Sequence, residues 1–411
     1  MSEIPFIQRI VIENYRNITF CDVKLRPITY LIGPNGAGKS NFLDVINFIT
    51  DALNFNLQMA LSARRTGFHK IIPRFENAKN FGIKLEIRLD SNTTCDFSFR
   101  IADVPSTDII IEQEQCVIKK NNDISSYYIV NNEQIKTSLP QPYPPQIENH
   151  FFLVSVSKYP GFDRVYNFLF GMNFYDFNLY EMVKTLSKEP NILSKDGSNL
   201  NSVITRMLET APDMMDHIRD YLQKIQPEVS QISQHNRQQL VTLITFAPTK
   251  KGWYGEQTLE LPELASGTLR TLGILVALFQ DSNSKKKISL IGIEEPENGI
   301  HPAALGVIID AIQEAGQKKQ ILITTHSPEL LDNKDIEPDS FIAFSSKYNE
   351  AIIGSLDEAT SSVLRDHLFT GGELLSMGQL KPAEKTASND KEDTDTNDKL
   401  FEEIVYRDNN S

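Results

Sequence analysis

The chain has 411 residues, 40% hydrophobic and 23% charged, a composition that suits a globular protein with a sizeable core and excludes wholesale disorder. Its net charge of −13 excludes a surface that is basic all over, so any nucleic-acid footprint has to be a local patch. Three scattered cysteines, Cys21, Cys95 and Cys116, form no CxxC pair and indicate neither a disulfide framework nor a zinc site.

The N-terminus carries an acid in its first residues and no long apolar stretch, which argues against a signal peptide. Apolar runs such as residues 272–279 fall far below the roughly 20 residues that span a bilayer. A cytoplasmic location and no membrane partner are therefore expected. Two strands are predicted over residues 7–12 and 23–32, turning near Asn17, and the second leads into a glycine-rich loop at 33–40. Phe42, Leu43, Ile46, Ile49 and Leu53 then recur at helical spacing. From Phe81 to Lys136 the period changes to two, which predicts a run of antiparallel strands closed by the proline-rich string LPQPYPPQ.

Residues 163–234 have helical character, and a strand returns at 240–246. A helix over 268–279, an apolar strand over 288–293, a helix over 303–315 and a strand over 320–324 complete the pattern. That alternation predicts α/β architecture around a parallel sheet. Four parts are expected: an N-terminal lobe with an antiparallel β subdomain (1–150), a mainly helical insertion (151–239), a C-terminal lobe (240–380) and a flexible acidic tail (381–411). The string LFEEIVY near the end of the tail reads as a short peptide of its own.

GPNGAGKS fits the pattern G-x-x-x-x-G-K-[ST] between an apolar strand and a helix, the context that a phosphate cradle requires. Gly33, Pro34, Asn35, Gly36, Ala37 and Gly38 would wrap so that backbone N–H groups point at phosphate oxygens, at the positive end of the following helix. Lys39 would reach the β- and γ-phosphates, and the Ser40 hydroxyl would ligate Mg²⁺. The nearest approach to a guanine-specifying N-K-x-D, Asn333-Lys334-Asp335-Ile336, lacks the acid in the right place, so ATP is the expected nucleotide. An apolar strand ending in Glu294 and Glu295 would set carboxylates opposite the cradle. Glu294 would hold the metal through its water shell, and Glu295 would orient or deprotonate the attacking water. Glu297 reads as a helix-start or dimer-contact acid.

Three further strings carry a resemblance. ELASGTLRTLGILVAL resembles the signature segment of ABC-type ATPases, EEPENGIHP their Walker B and D-loop, and ITTHSPELL their switch-histidine region. The opening forty residues, with YPGFDRVYNFLFGMNFYDFN and FTGGELLSMGQL, are similar to the RecF/SMC-like branch, in particular its compact AAA_21-type ATPases. The resemblance covers residues 1 to about 380. It implies a P-loop NTPase head of ABC type that binds ATP and Mg²⁺, with His326 as the switch histidine on the γ-phosphate.

It also implies a homodimer, or a higher oligomer of dimers, in which Ser266 and Gly267 of one subunit contact ATP held by the other. Ala265 stands where the signature pattern has serine, which removes one hydroxyl contact. His301, near the acidic position of the D-loop, reads as a structural or dimer-contact residue. Relatives in this branch serve DNA repair or antiviral defence, some beside a separately encoded nuclease. ATP-dependent dimerisation is thus expected to control DNA engagement or a separate nuclease or effector subunit; the alternative is an ATP-gated scaffold that regulates an effector without binding DNA. A candidate nucleic-acid contact is the basic stretch with Arg64, Arg65, His69, Lys70, Arg74 and Lys79, for which a solvated face or a place near the nucleotide is the competing reading.

Overall fold

The computed structural model describes residues 4–64, 71–73, 78–104, 108–132, 134–184, 192–235, 240–248, 254–280, 287–383 and 400–401. The chain begins with β1 (Phe6–Tyr15), β2 (Ile18–Lys24) and β3 (Ile28–Ile32), followed by β4 (Asn80–Arg88) and β5 (Thr93–Val104). Next come β6 (Asp108–Lys120), β7 (Asp123–Asn131), β8 (Gln134–Thr137), β9 (Met172–Tyr175) and β10 (Val229–His235). The last strands are β11 (Leu240–Pro248), β12 (Tyr254–Glu260), β13 (Leu290–Glu294), β14 (Gln320–Thr325), β15 (Phe341–Lys347) and β16 (Glu350–Gly354).

Among the described residues they form three sheets. One is antiparallel, in the order β2-β1-β4-β5-β6-β7-β8. A second has the order β16-β15-β3-β14-β13-β9, parallel from β15 to β9 with β16 antiparallel at its edge. The third is the small meander β10-β11-β12. The expected α/β architecture, with its parallel core and antiparallel β subdomain, is present. Two details differ from the sequence reading. The single strand expected over 23–32 is two strands in different sheets, because Pro27 has no N–H for a ladder and the chain crosses between layers there. The stretch read as helical also contains β9, which becomes the edge of the parallel sheet, and β10.

The helix Lys39–Asn54 lies between the layers. Its Phe42, Ile46, Phe48 and Ile49 join the core shared with the antiparallel sheet, where Phe81, Phe97, Phe99 and Phe151 meet edge-on or tilted. The helix Ser266–Phe279 buries every residue from Leu269 onward, Arg270 and Thr271 included, as a mainly apolar helix inside a core does. It shares a second core with the helix Pro302–Gly316 and the other face of the parallel sheet. No helix of the described residues is long and apolar enough to cross a membrane.

One buried acid anchors the antiparallel sheet to the segment beyond it. Glu114 accepts hydrogen bonds from the Tyr128 hydroxyl at 2.6 Å and from the backbone N–H groups of Phe152 at 2.7 Å and Leu153 at 3.1 Å. Burial nonetheless pushes its carboxyl up from 4.5 to about 7. Because the folded state then holds the proton more tightly than the unfolded chain, this group should erode stability as pH rises from about 4.5 to about 7. Glu114→Gln should flatten that part of the curve of melting temperature against pH, at the cost of a lower melting temperature throughout.

Candidate functional site

Parallel strands end on the same edge of their sheet, so the residues that follow β3, β13, β14 and β9 are brought together by topology alone. After β3 the backbone turns through Gly33, Gly36 and Gly38 at φ values of 146°, 78° and 108°, which side chains other than glycine seldom tolerate. At Gly33 there is also no space, since a Cβ would stand 2.3 Å from the Phe344 carbonyl oxygen. Pro34, Asn35, Gly36 and Ser40 are exposed on this turn, whereas Ala37, Gly38 and Lys39 are buried. The Lys39 ammonium donates to the carbonyl oxygens of Gly33 at 2.6 Å and Pro34 at 3.1 Å. Burial lowers its pKa, while Glu295, Glu297 and Glu294 act in the opposite direction.

Opposite the turn, β13 ends in Glu294, whose carboxylate accepts a hydrogen bond of 2.5 Å from the Ser40 hydroxyl. Burial raises the pKa of Glu294, and the Ser40 bond pulls against that rise. The two residues expected to serve the metal thus face each other. Among the described residues, no group of three or more His, Cys, Asp or Glu could hold a metal ion unaided. A divalent ion here would need oxygens from a bound phosphate, which is the usual manner of Mg²⁺.

Glu295 adopts φ 42°, an uncommon conformation for a side-chain-bearing residue. Its N–H donates to the Thr324 carbonyl at 3.0 Å, and its carbonyl accepts from Arg270 on the helix Ser266–Phe279 at 2.9 Å. The carboxylate accepts from Asn298 at 2.6 Å and lies 3.5 Å from Nδ1 of His326. His326 follows directly on β14, with its side chain 43% exposed.

Glu297 is not at a helix start, as the next helix begins only at Pro302. It is buried, accepting from the Thr325 hydroxyl at 2.7 Å and from the His326 N–H at 3.1 Å. Its second oxygen, Oε2, is buried without a partner. Glu297 therefore positions the histidine-bearing turn, a role invisible in a string of acids. Asp176 was missed altogether. It follows β9, is held through its N–H by the Lys195 carbonyl at 2.8 Å, and acts on the charges of both Glu294 and Arg270. The one signal in sequence was a short apolar run ending in an acid, the same feature that marks Glu294. Asp176, Lys195 and Arg270 line a recess of about 950 Å³ beside the carboxylates.

Ala265 precedes the helix Ser266–Phe279, Ser266 is exposed at its first turn, and a Cβ on Gly267 would stand 3.2 Å from the Gly299 carbonyl oxygen. None of the hydrogen bonds among the described residues joins Ser266 or Gly267 to the turn at 33–40. His301 is exposed, and its carbonyl accepts from Ala304 at the start of a helix. Arg64 turns inward, its side chain 4% exposed between Asp44 and Asp51, so it is no surface cation. Arg65, His69, Lys70 and Arg74 of the same basic stretch lie outside the described residues.

Two family models match the chain: AAA_15, "AAA ATPase domain", over 6–143, and AAA_21, "AAA domain, putative AbiEii toxin, Type IV TA system", over 181–332. Among curated proteins, the DNA replication and repair protein RecF of Aliivibrio fischeri is 40% identical over 50 residues, 12% of this chain and 14% of RecF. Endonuclease GajA of Bacillus cereus is 22% identical over 407 residues, 92% of this chain and 66% of GajA. The chain thus spans less than two thirds of the curated relatives it matches, and only a seventh of that RecF. A Pyrococcus furiosus Smc head domain bound to the C-terminal domain of ScpA aligns over 89% of this chain and 100% of its own, at TM-score 0.49 and 10% identity. The family models and curated relatives support an ATPase domain similar to parts of RecF and GajA, and ATPase activity in general.

Proposed function

We propose that the chain binds ATP with Mg²⁺ in the turn at Gly33–Ser40 and hydrolyses it within a homodimer closed by the nucleotide. The observation that carries this reading is the convergence of Lys39, Ser40, Glu294, Glu295 and His326 on one edge of the parallel sheet. The backbone N–H groups of the Gly33–Gly38 turn, of which Pro34 has none, and Lys39 would bind the phosphates, and Ser40 with Glu294 would hold the metal. Bound Mg²⁺ would supply the positive charge that the β- and γ-phosphate oxygens require. Glu295, pinned by backbone bonds on both sides, would take a proton from the attacking water. His326, its turn fixed by Glu297, would donate a hydrogen bond to the γ-phosphate. Ser266, exposed at the start of its helix, and the half-buried Gly267 beside it would serve the nucleotide of the partner subunit.

We assign the output of closure to DNA engagement or to a separate nuclease or effector subunit, in repair or antiviral defence. The relatives' printed roles, DNA replication and repair for RecF and endonuclease for GajA, motivate that assignment. A second reading, a scaffold that controls an effector without touching DNA, is favoured by the net charge of −13 and by the inward-facing Arg64. Turnover measured against protein concentration and added duplex separates these ideas. The dimer predicts specific activity that rises with concentration, and a strict monomer at full rate would remove it. Stimulation by duplex that falls steeply with salt supports the first output, and indifference to duplex supports the second.

A further inference from the structure

Beyond Ala383 the described residues are Leu400 and Phe401, in the stretch expected to be a flexible tail. Leu400 is fully buried. Its socket is the absent side chain of Gly82, where a Cβ would stand 2.2 Å from Leu400 Cδ1 and 3.2 Å from the Phe99 carbonyl oxygen. Gly82 on β4 lies in register between Glu13 on β1 and Arg100 on β5. Alternation along the strand places these three on the face opposite Phe81 and Ile83, which belong to the core. Arg100 pairs with Glu13 at 3.2 Å, and its guanidinium carbon lies 5.3 Å from the centre of the Phe401 ring. The acidic stretch is also held where it leaves the body, since the Ala383 N–H donates to the Ser355 carbonyl at 2.9 Å and Pro382 bridges to Leu356.

We propose that the Gly82 notch is a peptide-docking site for a leucine followed by an aromatic residue, and that its occupant is the chain's own C-terminal segment, bound in cis. Two adjacent side chains each have a dedicated receiver, one made by a missing Cβ and the other by a cation held in place by an acid. In sequence the docked pair is joined to Ala383 by residues 384–399, which carry six acids and three lysines. A tethered peptide faces its site at an effective concentration in the millimolar range, so an unlinked copy competes poorly.

Leu400→Asp in the full chain should empty the notch without touching the body. A fluorescein-labelled peptide of residues 396–406 should then bind saturably to the Leu400→Asp chain, and about tenfold or more weakly to the parental chain, whose own tail competes. The same peptide carrying Leu400→Asp should not bind, and Gly82→Ala added to the Leu400→Asp chain should abolish binding. If Gly82→Ala misfolds, the altered peptide decides alone. Equal binding to both chains, or no binding to the Leu400→Asp chain at millimolar peptide, overturns the site. Amide protection around Phe401 that depends on protein concentration would hand the notch to a second copy's tail and overturn docking in cis.

Discussion

Replacing Lys39 with alanine should weaken ATP binding about a hundredfold or more while leaving the fold in place. The ammonium is buried, yet it is held by two carbonyl oxygens of its own loop and faces three glutamates, so it is poised as a cation although burial opposes its charge. The Pro34 carbonyl can turn to water once the side chain is cut, because Pro34 is exposed, which leaves the buried Gly33 carbonyl as the one acceptor to be resolvated. The loss is therefore concentrated on the bound state. A hydrogen bond to a charged group contributes about 1.5–3 kcal/mol, and this side chain would form such bonds to two phosphates. Calorimetric titration of ATP with Mg²⁺ checks the figure, with the thermal midpoint as a control for folding. Unchanged affinity would mean that the glycine turn is not the nucleotide site.

The parts of the site legible in sequence are those whose chemistry is local. Gly33, Gly36 and Gly38 declare themselves because the turn needs positive φ at three nearby points, and the strand and helix on either side are strongly patterned. Glu294 and Glu295 declare themselves because acids that end a fully buried strand must emerge at its edge. The parts that were hidden depend on contacts made far along the chain. β9 is four residues long inside a segment with helical periodicity, and it becomes a strand because β13 offers it a parallel ladder. Asp176 was invisible for the same reason, since only that pairing sets it next to Glu294. Glu297 reads in sequence as a helix-start or dimer-contact acid, whereas the fold buries it beneath the turn of His326. Leu400 sits among acidic residues and reads as tail until a glycine more than three hundred residues away supplies its socket.

Glu295→Gln should bind ATP normally, hydrolyse it about 10²–10⁴ times more slowly, and accumulate a closed, ATP-bound dimer. The substitution keeps the shape of the side chain and removes its capacity to take a proton. The backbone at residue 295 is fixed without help from the carboxylate, through the N–H bond to Thr324 and the carbonyl bond from Arg270, so the φ of 42° should survive. Asn298 donates to one carboxylate oxygen, and the glutamine carbonyl can take that place. What changes is the oxygen that lies 3.5 Å from His326, where an amide would set a donor against the ring in place of an acceptor. Binding and chemistry should therefore separate, with nucleotide affinity within about threefold of the parental chain and turnover falling by the factor a positioned base supplies. Size-exclusion chromatography with ATP should show the variant as a dimer at concentrations where the parental chain, cycling through hydrolysis, elutes partly as a monomer. A variant that turns over at the parental rate would take the base away from Glu295. Glu297, buried with one unpartnered oxygen and in reach of the same histidine, would then be the first residue to examine.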